Sequence, residues 1–533
     1  MKNKLLVIIL FLILFAASFL RFYKLSEVPP SITWDEASVG YNAWTILNWG
    51  KDEWGKAFPL VFKSFGEYKN PVDIYLTVPF VAIFGLNEFG VRASSAFFGV
   101  LDVLLIYFLG AKIFKNKWVG VISALVLAIS PYNLHFSRFN HELNFALFFF
   151  MLGFYLFLES VDKKPKLLIF SFVSFGVSLL SYNAAKIIVP PIFFLLIALY
   201  IKELLRIKKY FLWGILVILF FAGLIVIEPN LLGISRFNET SSAKDRNIEN
   251  IIQKYKVHYS FDYLFVKGDP NARLSSQISG EFFKTDLPFL VLGTILLVFI
   301  LIKKKRKEFL VLLAWALLAP IPATITSETP HAARAMFMTG SWHLFPNRYA
   351  IEWQYGMREI VDYVKENETN YYAVYMTDIR SQPYIFYLFY LKYPLPQFLK
   401  TVKYNETIQR PSNLVVSFDK YKFGIWDPIE SFPEKGILYV VGPSHYSGLR
   451  HKTLFRVVKA INYPNGTEAF YLVSAGGWRP GTKKKISECA SSLLRVLQMK
   501  LLWLMRILPT IPEKLPKNTE PRFIGNLTMK FSM

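Results

Sequence analysis

Cysteine is nearly absent. Cys489 stands alone, so the chain forms no intrachain disulfide, and the sequence does not encode a redox compartment. Charge is scarce as well: 19% of the 533 residues are Asp, Glu, Lys or Arg, fewer than a soluble chain of this length carries. Acidic residues are the rarer kind, and the net charge is +23. Such a balance often signals nucleic acid. Here the Lys and Arg lie in short loops between apolar runs, the pattern of loops on the cytoplasmic face of a membrane, so no nucleic-acid partner is expected. No nucleotide-binding domain is recognisable either. What abounds is apolar: 53% of residues are hydrophobic and 17% aromatic, with 50 Phe. They come in long runs rather than at amphipathic spacing, which is what a bilayer requires of a helix.

Nine runs read as membrane spans: about 4–20, 89–110, 118–130 (extending to about 134), 143–159, 167–182, 187–201, 211–228, 287–302 and 309–326. The first reads as a retained helix, because Arg21-Phe22-Tyr23 follows it in place of a small-residue cleavage site. Basic clusters alternate along the chain. Lys2 and Lys4 precede the first run; Lys112, Lys115 and Lys117 follow the second; Lys163, Lys164 and Lys166 the fourth; Lys202, Arg206, Lys208 and Lys209 the sixth; Lys303, Lys304, Lys305, Arg306 and Lys307 the eighth. This alternation predicts a multi-pass protein of the cell membrane with a cytoplasmic N-terminus. The segments 21–88, 131–142, 183–186, 229–286 and everything after about 327 are then external. The stretch 74–85 is short and contains Pro79, and its crossing would reverse every later loop. It is expected to lie at the interface or to re-enter. The runs hold few ionisable groups, which argues against the rival class, a transporter or flippase of polyprenyl-linked lipids. Asp102 is the clearest exception and reads as helix-packing glue.

The first external loop carries Pro29-Pro30-Ser31-Ile32-Thr33-Trp34-Asp35-Glu36-Ala37-Ser38-Val39-Gly40-Tyr41, two adjacent carboxylates before a helical run over 37–49. Thr33 or Asp35 fits a helix N-cap. A carboxylate at the membrane surface fits a general base equally well. Neighbouring carboxylates share charge comfortably only through a cation or a proton, so a divalent cation held by Asp35 and Glu36 is an open reading. Further on, Gly66-Glu67-Tyr68-Lys69-Asn70-Pro71 places a cation near the bilayer, suited to a lipid phosphate or to snorkelling.

The Asp-Glu pair after the first run, the Tyr-Lys-x-Pro entering a short apolar helix, and Asn87-Glu88-Phe89-Gly90-Val91-Arg92 at the next span together resemble the GT-C glycosyltransferases. Within them the resemblance is to the bacterial and archaeal group related to protein O-mannosyltransferases and the lipid A aminoarabinose transferase, the dolichyl-phosphate-mannose-protein mannosyltransferase family. It covers about residues 1–340 and the stretch Trp353-Gln354-Tyr355-Gly356. It implies an all-α polytopic membrane bundle with external loops and a small C-terminal α/β soluble domain. It also implies transfer of one sugar from a polyprenyl-phosphate donor to a hydroxyl of a protein, lipid or glycan acceptor, among membrane lipids and by a single inverting displacement. Asp35 matches the family residue that acts on the acceptor, Glu36 its acidic partner, and Lys69 the lysine near the donor phosphate. The family often reads Glu-Lys-Pro-Pro where this chain has Glu67-Tyr68-Lys69-Asn70-Pro71, so its carboxylate stands one place further away.

Later loops add candidates. Pro131-Tyr132-Asn133-Leu134-His135-Phe136-Ser137-Arg138-Phe139-Asn140-His141-Glu142 sets Arg138 and Glu142 four apart, on one helix face if the helix is continuous. They read as an ion pair or as a polar cluster facing Asp35. Ser181-Tyr182-Asn183-Ala184-Ala185-Lys186 offers Lys186 to a phosphate or to the interface. Thr329-Pro330-His331-Ala332-Ala333-Arg334 matches a family Pro-His-Ala-x-Arg pattern, with Arg334 suited to phosphate and His331 to phosphate or metal. Lys69, Arg138, Lys186 and Arg334 are thus the expected donor-phosphate ligands, and Tyr41, Glu142 and His331 further cavity residues. The loop 229–286, with its Gly268-Asp269-Pro270 turn, is expected to fold over the cavity as a lid.

Relatives continue with a helical hairpin after the Pro-His motif. Here Met338-Thr339-Gly340 runs almost directly to Phe345-Pro346-Asn347, which raises the alternative of an inactive, truncated member. The catalytic membrane domain is placed at 1–345 and an external α/β domain at 346–475. The latter has a helix at 356–366, strands at 372–376, 436–441, 454–458 and 469–473, and an Asn465-Gly466 hairpin turn. Beyond it, 476–533 reads as a basic amphipathic tail of uncertain origin.

Overall fold

The computed structural model describes residues 2–241, 247–271, 273–275, 280–284, 287–304, 306–338, 356–377, 382–405, 414–426, 433–449, 451–463 and 466–475. The shortened hairpin after 340, Trp353-Gln354-Tyr355, Asn465 and the tail 476–533 lie outside these residues. Residues 1–477 form one compact unit.

The membrane region begins with α1 (Lys2–Phe22), α2 (Trp34–Trp49), a hairpin of β1 (Phe62–Ser64) and β2 (Glu67–Lys69), α3 (Val72–Phe84) and α4 (Glu88–Phe114). It continues with α5 (Lys117–Ala128), α6 (Pro131–Ser137), α7 (Glu142–Asp162), α8 (Leu167–Leu179), α9 (Ala185–Arg206) and α10 (Lys208–Ile227). Then come α11 (Ile234–Thr240), α12 (Ile248–His258), α13 (Leu287–Lys304), α14 (Lys307–Leu318), α15 (Ile321–Thr324) and α16 (Ala332–Ala335). All nine expected runs are helices. Among the described residues, six are long and apolar enough to cross a membrane, and α5 with α6 makes a seventh, bent by 59°. The chain is a multi-pass membrane protein. The run 167–182 forms the 13-residue α8, about 20 Å long at 1.5 Å per residue. The stretch 74–85 is the 13-residue α3 with Pro79 inside it, too short to span, as its length predicts.

Helix α4 packs against α1, α5 and α7. In lipid no water is expelled between helices, so close contact and polar bonds hold them. A Cβ on Gly110 of α4 would lie 3.1 Å from the Gly120 Cα of α5, so two glycines let these backbones meet. Asp102 accepts from Asn133 Nδ2 (3.3 Å), and Asn133 Oδ1 accepts from Arg21 (2.6 Å), joining α4, α6 and α1. Phe150, Phe172, Phe175 and Phe193 interlock α7, α8 and α9.

The bundle has two distinct ends. At one, Lys112 bonds Glu159 and Asp162 (2.7 and 2.9 Å), Arg306 donates to the Ile113 carbonyl (2.6 Å), and Lys307 bonds Glu203 (2.7 Å). The basic loops of the sequence pattern therefore converge. The loops that pattern assigns to the opposite side converge on a cavity.

After α17 (Met357–Glu366), a seven-stranded sheet forms from β3 (Ala373–Thr377), β4 (Lys403–Tyr404), β5 (Val415–Phe418), β6 (Tyr421–Gly424), β7 (Ile437–Val441), β8 (Phe455–Asn462) and β9 (Glu468–Ala475). The order is β4-β5-β6-β3-β7-β9-β8, with β3 parallel to β6 and β7 and the other pairs antiparallel. The helices α18 (Tyr384–Leu391), α19 (Leu395–Thr401) and α20 (Pro443–Ser447) complete it. The sequence reading found β3, β7, β8, β9 and α17; it missed β4, β5, β6 and α18. Helix α18 (YIFYLFYL) is apolar all round because it is buried, packed against α2. Tyr41 Oη donates to the Tyr393 carbonyl (2.9 Å), Tyr384 Oη to Glu53 (3.3 Å), and Arg358 pairs with Glu88. The sheet layer is thus docked on the first long loop. Tyr41, expected as a cavity residue, is fully buried in this joint instead.

Candidate active site

Helix α2 starts on a capping box. Thr33 Oγ1 accepts from the Glu36 amide (3.2 Å), and Glu36 Oε2 accepts from the Thr33 amide (3.0 Å). The N-cap reading of this segment is therefore met, by Thr33. Glu36 is turned inward and fully buried. It takes two bonds from Arg92 of α4 (2.8 and 3.2 Å) and one from the Asn140 amide (3.1 Å). Asp35, one position earlier, reaches the other way. Its Oδ1 lies 2.5 Å from Lys69 Nζ, and its side chain is 42% exposed.

Lys69 ends β2, and the tight β1–β2 hairpin, turning through Gly66 at φ +84°, brings it beside α2. Burial alone would depress the Lys69 ammonium, but Asp35, Glu142 and Glu67 outweigh it and hold the group above its ordinary value.

A cavity of about 650 Å³ opens here. Asp35, Glu67, Lys69 and Asp73 line it from the first loop, His141 and Glu142 from the start of α7, and Asn183 and Lys186 from the start of α9. Lys186 donates to Asn70 Oδ1 (2.8 Å) and Asn183 Oδ1 (2.5 Å). The loop after α10 contributes Leu232, Phe237, Asn271 and Arg273 to the lining. The Arg273 guanidinium sits 5.4 Å from the Trp34 ring centre, within cation–π range.

The Pro-His-Ala-Ala-Arg segment closes the wall. His331 caps α16, its Nδ1 accepting from the Arg334 amide (3.3 Å), so Nε2 carries the proton toward Glu328 (3.3 Å). Burial lowers His331 to about 4, and the bond from His331 brings Glu328 down to about 2. Arg334 bonds Thr326 Oγ1 (2.9 Å) and approaches Glu328 (3.5 Å). The segment is held from behind by Asp269, which accepts from the Ala332 amide (2.5 Å), and by His258, which accepts from the His331 amide (3.2 Å).

Of the expected site residues, Asp35, Lys69, Glu142, Lys186, His331 and Arg334 therefore share one cavity. Three do not. Glu36 faces the protein interior, so it is not the acidic partner of Asp35 in the cavity. Tyr41 lies in the joint to the sheet layer. Arg138 is the C-cap of α6, while Glu142 begins α7, so the two are not on one helix face. Its guanidinium donates to the carbonyls of Leu20 (2.5 Å), Tyr23 (2.7 Å) and Val28 (3.1 Å), fixing the exit of α1 rather than facing a phosphate. The divalent-cation reading also fails geometrically. Asp35 and Glu36 diverge, and among the described residues no three His, Cys, Asp or Glu side chains converge on a metal. Sequence reading missed Asp73, Asn183, Arg273 and Glu328 as lining residues. Asn183 and Glu328 lay inside or beside quoted motifs, whereas Arg273 carried no pattern.

Residues 69–227 match the family described as dolichyl-phosphate-mannose-protein mannosyltransferase. An uncharacterized protein of Aquifex aeolicus (strain VF5) is 30% identical over 189 residues, 32% of this chain and 37% of that protein, so the match spans little more than a third of the relative. Among solved structures, the apo oligosaccharyltransferase of Archaeoglobus fulgidus superposes with a TM-score of 0.41 at 16% identity, over 68% of this chain and 52% of its own. ArnT from Cupriavidus metallidurans in the apo state gives a TM-score of 0.47 at 13% identity, over 89% of this chain and 97% of its own. The matched segment holds Lys69, Glu142 and Lys186; Asp35 and Arg334 flank it in sequence and join it in the cavity.

Proposed function

We propose that the chain is a membrane glycosyltransferase that moves one sugar from a polyprenyl-phosphate donor to a hydroxyl of a protein, lipid or glycan acceptor. The observation that carries this reading is the half-exposed Asp35 carboxylate, held by Lys69 at the wall of a cavity that also contains Lys186, Arg273 and Arg334. Asp35 takes the acceptor proton as that oxygen attacks the anomeric carbon, and the carbon–oxygen bond to the phosphate breaks on the opposite side. The departing phosphate gains negative charge, and fixed cations around the cavity stabilise it. One displacement inverts the anomeric centre. The donor arrives already activated, so no nucleotide site is required.

The same reading assigns a side of the membrane to each end of the bundle. The basic end belongs in the cytoplasm and the cavity, with the sheet layer, outside. Convergence of the basic loops at one end supports this arrangement.

The test is transfer by purified protein in detergent from polyprenyl-phosphate sugars to a hydroxyl acceptor. Asp35→Asn keeps the size and most of the geometry of the side chain but removes the base, and the rate is expected to fall by at least about 100-fold with an unchanged melting temperature. Transfer at the wild-type rate would remove Asp35 from the mechanism.

A further inference from the structure

We propose that α12 is a lipid-binding surface: it lies in the bilayer interface at the cavity end of the bundle and sets one stripe of its side chains among acyl chains.

The stripe is Ile248, Ile252 and Tyr255, with Tyr259 just beyond the last turn. Spacings of four, three and four keep these residues on one side of a helix. Ile248 is 74% exposed and Ile252 49%, and Phe261, which follows, is exposed as well. Glu249, Gln253 and Lys256 are exposed on a polar flank, about 100° round the helix from the stripe. The other flank faces inward. There Lys254 donates to the Thr326 carbonyl (2.5 Å), and His258 accepts from the His331 amide (3.2 Å). Thr326 and His331 both line the cavity, so this flank is fixed to the cavity wall and the stripe cannot roll toward it.

What covers the stripe follows from what it touches. Tyr255 Oη donates to the Leu317 carbonyl (2.8 Å) and Tyr259 Oη to the Ala316 carbonyl (2.6 Å). Both carbonyls lie in the last turn of α14, where a helix runs out of its own donors. Pro320, four residues after Ala316, has no N–H to offer. An unpaired carbonyl is costly in lipid, so the two hydroxyls complete the end of this helix. The carbonyls belong to Lys307–Thr324, a stretch long and apolar enough to cross a membrane. Tyr255 and Tyr259 therefore tie α12 to the membrane region. Leu317, itself half exposed, continues the stripe onto the outer surface of α14. Tyrosines with bonded hydroxyls, isoleucines beside them and a lysine at the edge fit the boundary between acyl chains and headgroups. A protein partner would have to enter the lipid to reach the same stripe.

The experiment reads the accessibility of spin labels on the full chain, in nanodiscs of phosphatidylethanolamine and phosphatidylglycerol, with Cys489→Ser as the background. Single labels are attached at Ile248→Cys, Ile252→Cys and Gln253→Cys, all exposed positions where a label displaces little packing. Collisions are measured with oxygen, which dissolves in lipid, and with a neutral nickel chelate, which stays in water. Labels at 248 and 252 are expected to collide more with oxygen than with nickel, at a depth of about 5–10 Å into the headgroup and acyl boundary. The label at 253 is expected to show the reverse. Labels at 248 and 252 that are as open to nickel as the one at 253 overturn the proposal, because the stripe then lies in water. Low collision rates with both reagents also overturn it, because protein then covers the stripe. Positions 248 and 252 each decide the matter alone, should the other variant fail to fold. None of these outcomes depends on sugar transfer, so α12 is tested apart from the glycosyltransferase reading.

Discussion

Glu36→Gln separates the two adjacent carboxylates. Glu36 and Arg92 are both fully buried, and each Glu36 oxygen already accepts two bonds. Oε1 takes Arg92 Nε (2.8 Å) and the Asn140 amide (3.1 Å); Oε2 takes Arg92 Nη2 (3.2 Å) and the Thr33 amide (3.0 Å). A glutamine amide placed either way therefore points its NH₂ at two donors. One of these is always the arginine, whose charge is then left without its partner. Breaking a buried pair from one side costs about 3–5 kcal/mol. Arg92 also holds the carbonyls of Leu25 (3.1 Å), Pro29 (2.8 Å) and Ser31 (2.5 Å), so the loss spreads to the whole approach to α2. In a protein of this size that corresponds to a fall in melting temperature of about 3–5 °C. The assay is a thermal melt in detergent beside transfer activity measured well below the melt. Glu36→Gln should melt early yet keep measurable transfer; Asp35→Asn should melt with wild type and lose it. A Glu36→Gln protein that melts with wild type but transfers as poorly as Asp35→Asn would refute the reasoning and put Glu36 back in the chemistry.

Two further outcomes are expected. Burial pushes Glu53 up to about 8, from an ordinary value near 4.5, in its pocket with Asn42 and Tyr384. Between those two values the unfolded chain has lost a proton that the folded chain keeps. Stability from this group is therefore complete below about pH 4.5 and lost as pH rises through about 8; Glu53→Gln should flatten that part of the melting-temperature profile, and an unchanged slope would count against it. Gly40 lies where α2 meets both α4 and α18: an added Cβ would come within 2.4 Å of Val91 Cγ2 and 2.8 Å of Phe389 Cε2. Gly40→Ala should therefore destabilise by about 1–3 kcal/mol in a detergent melt, and a neutral result would show that this junction yields.

The helices were legible because a bilayer imposes a demand that composition alone can display. Nine apolar runs and five basic clusters are enough to place them. Their lengths were less legible. The bend between α5 and α6 falls at Ser130-Pro131, where Ser130 caps a new helix, and hydropathy does not register a cap. In the sheet layer, the strands β7 and β9 showed as apolar runs. Helix α18 did not show as an element, because burial against α2 and the sheet erases the polar face by which a helix of a soluble layer is recognised. The short strands β4, β5 and β6, of two to four residues, are fixed by pairing with one another and with β3 rather than by their own pattern.

The site was legible as a set of charged residues at loop starts, but not in the direction each side chain takes. Asp35-Glu36 shows why. On a helix, successive residues are turned by about 100°, so neighbours in sequence do not share a face. Once Thr33 is the N-cap, Glu36 occupies the third helical position, where a capping-box carboxylate turns back to the cap amide; Asp35 then points elsewhere. The pair that looks like a joint ligand set is thus divided by helix geometry into one residue that holds the loop and one that faces the cavity. Arg138 follows the same logic from the other side. A guanidinium at the end of a short helix faces unpaired carbonyls, and those of Leu20, Tyr23 and Val28 at the exit of α1 claim it before any phosphate can. What distinguishes Lys186 from Arg138 is not charge or loop position, which the sequence displays, but the partner each meets: the amide oxygens of Asn70 and Asn183 at the cavity wall in one case, and a ring of backbone carbonyls in the other.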